Sequence, residues 1–94
     1  MKNKEYLQTT DTGFIAYLLC KGYKFALPPF TRIGYVHYTF ERSPEIDREH
    51  DMYYSGQASI VDVYGYQQTL INLRHQINKL LRDTPKEVEV EEVD

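Results

Sequence analysis

The chain has one cysteine, Cys20, no tryptophan, and only five glycines and four prolines in 94 residues. A single thiol, expected to be buried, rules out an internal disulfide and suits a reducing, intracellular setting. The longest apolar run, Phe14 to Cys20, is seven residues, too short to cross a bilayer. The opening MKNKEYLQTT has no apolar signal-peptide core, so a soluble, cytoplasmic protein is expected. The spacings that carry chemistry are missing too. No CxxC, HxxxH or HExxH occurs, and no glycine-rich loop could cradle phosphate. His37, His50 and His75 fall in three separate segments. Glu45, Asp47, Glu49 and Asp51 alternate with Arg48 on what reads as an exposed helix face. No metal, no cofactor and no enzymatic activity are expected.

What is present is sorted. Residues 1–86 hold eleven Lys/Arg against nine Asp/Glu, whereas residues 87–94 (EVEVEEVD) hold five acids and no base. The net charge of −3 thus divides into +2 for the body and −5 for the end. Nine tyrosines against four phenylalanines imply many rings at a half-wet surface, because a buried hydroxyl needs a partner. A chain this short buries only about 60–65% of its unfolded surface, so its core is thin and pairing with a second copy would enlarge it.

Hydrophobic spacing divides the body into six elements. Lys4–Thr9 alternates like an edge strand. Thr10 or Asp11 offers an N-cap for a helix to about Lys21, with Phe14, Ile15, Leu18 and Leu19 on its core side and Gly22 at its end. Tyr23–Leu27 reads as a strand ended by Pro28-Pro29, and Phe30–Gly34 as a loop. Tyr35–Glu41 is the clearest strand: Val36, Tyr38 and Phe40 face one way, Tyr35, His37 and Thr39 the other. The two strands should form an antiparallel hairpin with a long tip. Ser43-Pro44 opens a helix to about Tyr54. Asp62 caps the last helix, about Val63–Arg82, whose Tyr66, Leu70, Leu73, Ile77 and Leu80 form a heptad-like seam. The order β-α-β-β-α-α implies an α+β fold, a small antiparallel sheet covered on one face by helices. Residues 1–84 form the single domain and 85–94 a flexible acidic tail.

Several of these strings resemble a known family: Thr9-Thr10-Asp11, Ala16-Tyr17-Leu18, Lys21-Gly22-Tyr23-Lys24, YVHYTFE, Tyr53-Tyr54-Ser55-Gly56, and Ala58-Ser59-Ile60-Val61-Asp62 leading to Leu70 and Leu73. They are similar to a domain of unknown function scattered through phages, prophages, archaea and bacteria, over about residues 5–82. Two positions depart from the pattern. Leu27-Pro28-Pro29-Phe30 stands where a basic or glycine-containing turn is usual, and Arg74 holds the place of a lysine. The resemblance implies a phage or mobile-element context and brings no activity or catalytic residue.

Two surfaces remain as candidates for binding. Lys24, Arg32 and Arg42 flank the central strands, with Tyr23, Tyr35 and His37 among them. Rings beside cations are a platform for unpaired bases, so single-stranded nucleic acid is the leading expectation. In the alternative, the acids Glu87, Glu89, Glu91, Glu92 and Asp94, helped by the Glu45/Glu49/Asp51 face, imitate phosphate and recruit a basic host protein. Arg74, Asn78 and Arg82, with His75 and Lys79, form a cationic stripe that more simply reads as a solvated helix face. An inert homodimer through the heptad-like seam is the third option.

Overall fold

The computed structural model describes residues 4–83. Six elements follow one another: β1 (Tyr6–Thr9), α1 (Thr12–Cys20), β2 (Phe25–Arg32), β3 (Tyr35–Glu41), α2 (Pro44–Tyr54) and α3 (Val63–Asp83). The sheet is antiparallel in the order β1-β3-β2, so the most alternating strand of the sequence is its centre. This is the expected α+β arrangement.

Local chemistry starts each helix. The Asp11 carboxylate accepts from the Phe14 amide at 3.2 Å, and the Ser43 hydroxyl accepts from the Ile46 amide at 3.1 Å with Pro44 following. Asp62 accepts from the Gly65 amide at 2.8 Å ahead of α3. Each cap satisfies an amide that the first helical turn leaves without a partner.

The core lies between α1 and one face of the sheet. Phe14 to Leu18 are buried without a break, and Val36, Tyr38 and Phe40 meet them from β3, with Ile46 and Leu73 from the other helices. Phe14 is the hub: its ring centroid lies 5.3 Å from both Tyr53 and Tyr54, and 5.4 Å edge-on from His50. The hydroxyls around this hub are held by Tyr17 donating to Glu49, Tyr54 donating to Asp11 and Tyr66 donating to the Gly13 carbonyl. Burial, reinforced by Glu49, raises the Tyr17 phenol to about 12, and burial beside Tyr66 raises Tyr53 to about 12. At Gly13 the web leaves no room for a side chain: a Cβ there would sit 2.6 Å from the Tyr53 hydroxyl.

Three expectations need correction. β2 does not stop at Pro28-Pro29 but runs through both to Arg32. It can do so because it is an edge strand, where a missing amide costs no ladder bond, and because its register slips twice, between Phe25 and Leu27 and between Leu27 and Phe30. The hairpin tip is therefore short. Ile33 (φ 49°) and Gly34 (φ 80°) alone connect Arg32 to its partner Tyr35, the two left-handed positions that a tight, right-twisting hairpin turn requires. Cys20, expected to be buried, is exposed. In the α3 seam only Leu73 is buried, while Tyr66, Leu70, Ile77 and Leu80 are half-buried against the core. Residues 85–94, including the five acids named above, lie outside the described residues.

Candidate nucleic-acid interface

The register assigns the second face of the sheet side chain by side chain. On the core side Leu7 and Phe25 pair with Phe40, and Thr31 pairs with Val36. The other side carries Tyr6 beside Glu41, Gln8 and Leu27 on either side of Thr39, Phe30 beside His37, and Arg32 beside Tyr35. Tyr6, Leu27 and Tyr35 are 43%, 45% and 63% exposed.

At its centre the Phe30 and His37 rings lie parallel, 5.0 Å apart and 8° from coplanar. Tyr35 comes next along β3, and Tyr6 lies at the far end, roughly 20 Å away at about 3.4 Å per residue. The rings therefore form a row down the open face rather than one cluster. Tyr35 makes no hydrogen bond or ring contact among the described residues. That contrasts with Tyr38, three residues on, whose hydroxyl donates to Gln76 at 2.6 Å. Thr39 is the exception on this face. It is fully buried, and its hydroxyl has no hydrogen-bond partner among the described residues.

The cations named from the sequence separate. Arg32 is exposed, sits on the open face beside Tyr35, and forms no ion pair among the described residues. Lys24 is also exposed and unpaired there, but it precedes β2, roughly 25 Å from Arg32 along the strand at about 3.3 Å per residue. Arg42 is committed elsewhere: its Nε lies 3.0 Å from Asp47, and Glu5 is 3.9 Å from the guanidinium. Tyr23 packs against the core, and burial, reinforced by Glu49 and Glu45, raises its phenol. Of the six named residues, Arg32, Tyr35 and His37 are brought together, Lys24 stands at the other end, and Tyr23 and Arg42 serve the fold.

Sequence reasoning missed Tyr6, Leu27 and Phe30. Tyr6 was visible as part of an alternating strand, but nothing in the sequence placed that strand against β3. Leu27 reaches the open face only because the first register slip reverses its side. Phe30 was hidden by the assumption that two prolines end a strand.

The acidic alternative loses part of its surface, because Glu49 accepts from Tyr17 and lies 3.9 Å from Lys21. Residues 4–83 carry nine Lys/Arg and nine Asp/Glu, so the excess of +2 rests on Lys2 and Lys86. Among the described residues no group of three or more His, Cys, Asp or Glu converges to hold a metal, and no helix is long and apolar enough to cross a membrane. Comparison with protein-family profiles, curated proteins and solved structures finds no match to this chain.

Proposed function

We propose that this protein contacts single-stranded nucleic acid through the open face of its sheet, without catalysing a reaction. The observation that carries the reading is the row of rings on the open face ending at a cation with no ion pair among the described residues: half-buried Phe30 stacked on half-buried His37, then exposed Tyr35, then Arg32. Unpaired bases stack on such rings without a preferred sequence, each contact being worth about 1–3 kcal/mol. Arg32 supplies a guanidinium for a phosphate or for the edge of a stacked base. A duplex keeps its bases inside, so the rings have nothing to stack on. The local balance of charge limits affinity, which favours transient contact over tight binding. A phage or mobile-element setting belongs to the same proposal and rests on the resemblance already described.

The test is a titration of labelled oligo(dT) with the full chain at several salt concentrations. Binding is expected, with a shallow log–log salt slope of about −1.4 if Arg32 and Lys24 each neutralise one phosphate. Tyr35→Ala should weaken it by about 5- to 150-fold. An unchanged affinity in that variant excludes the open face as the site.

A further inference from the structure

Resting on that reading, we propose that Ile33 at the hairpin tip is a ligand-contacting wedge, which restricts the site to unpaired, easily unstacked nucleotides. Ile33 is 73% exposed and has a φ of 49°. A β-branched residue rarely adopts that conformation, whereas Asn or Gly fits it readily. The strain is not offset inside the fold, because a side chain this exposed gains little packing there. Strained backbone of this kind is often found where a ligand is held.

Its position gives the strain a use. Ile33, with Gly34, joins Arg32 to Tyr35, the pair that ends the row of rings. With a base on Tyr35 and its phosphate at Arg32, the next base along the strand meets an aliphatic side chain instead of another ring. Apolar side chains of this type part neighbouring bases when they enter a stack. Parting them costs least in a strand that is already unpaired. The tip thereby adds selection for flexible single strands, or for strand ends, to the general affinity of the rings.

The experiment compares the wild-type full chain with Ile33→Asn and Tyr35→Ala, measuring thermal stability, binding to labelled oligo(dT), and competition by a blunt duplex of equal length. Ile33→Asn should raise Tm by roughly 4–8 °C and yet weaken oligo(dT) binding about five-fold or more, and the duplex should compete at least about ten-fold less well than unlabelled oligo(dT). A more stable Ile33→Asn that binds like wild type, while Tyr35→Ala weakens, overturns the wedge and leaves the open-face reading standing. Wild-type protein that ignores oligo(dT) ends both. A wild-type dimer that Ile33→Asn dissociates assigns the tip to a second copy and overturns the wedge.

Discussion

The two faces of β3 carry similar residues in opposite roles. Val36, Tyr38 and Phe40 are sealed under α1 and α3, and the Tyr38 hydroxyl is anchored on Gln76. Tyr35 and His37, from the same seven-residue strand, face away from the helices, and Tyr35 keeps 63% of its surface. Burying an aromatic ring gives cohesion, whereas holding one rigid and open gives a surface ready for another ring. The core tyrosine and the open one are three residues apart on one strand, an odd number of steps that puts them on opposite faces.

The largest test of that contrast is truncation on either side. Phe40→Ala should cost about 3–5 kcal/mol of stability, read by urea denaturation. Tyr35→Ala should stay within about 0.5 kcal/mol of wild type while it loses ligand. Comparable destabilisation by both changes would mean that the open face is a second core. Gly13→Ala tests the hydroxyl web behind the sealed face. The new methyl meets the Tyr53 hydroxyl, and overpacking of about 1–3 kcal/mol should outweigh the helix propensity gained, lowering Tm.

Thr39 sharpens the comparison, being a buried residue on the otherwise open face. Thr39→Val removes a hydroxyl without a partner among the described residues and should stabilise the fold by about 1 kcal/mol, visible as a higher urea midpoint. A further effect is confined to alkaline pH. Tyr17 and Tyr53 keep their protons to about 12 in the folded chain, whereas unfolded phenols titrate near pH 10. The folded state then binds more protons across that window, so stability should be intact below pH 10 and fall as pH rises toward 12. A flat stability profile from pH 9 to 12 would contradict the burial of those two rings.

Much of the fold was legible because its signals are local. Asp11, Ser43-Pro44 and Asp62 announce three helix starts, and the alternation of Tyr35–Glu41 announces both faces of the central strand. What was hidden depends on partners distant in sequence. The reading of Pro28-Pro29 as a stop is sound for a central strand and fails for an edge, and only the strand order tells which applies. The tip was hidden for a related reason: Ile-Gly is an unfavourable pair for a tight turn, and the pairing of Arg32 with Tyr35 imposes it. Tyr23 and Arg42 looked available until α2 brought Glu45, Glu49 and Asp47 beside them.

The most direct measurement of the central claim is a residue-by-residue map of NMR chemical-shift changes as oligo(dT) is added to the full chain. The account predicts changes centred on Phe30, Arg32, Ile33, Tyr35 and His37 and extending toward Tyr6, with Tyr17 and Tyr53 unmoved. Changes centred instead on Arg74, Asn78 and Arg82 of α3, or none at all, would contradict it.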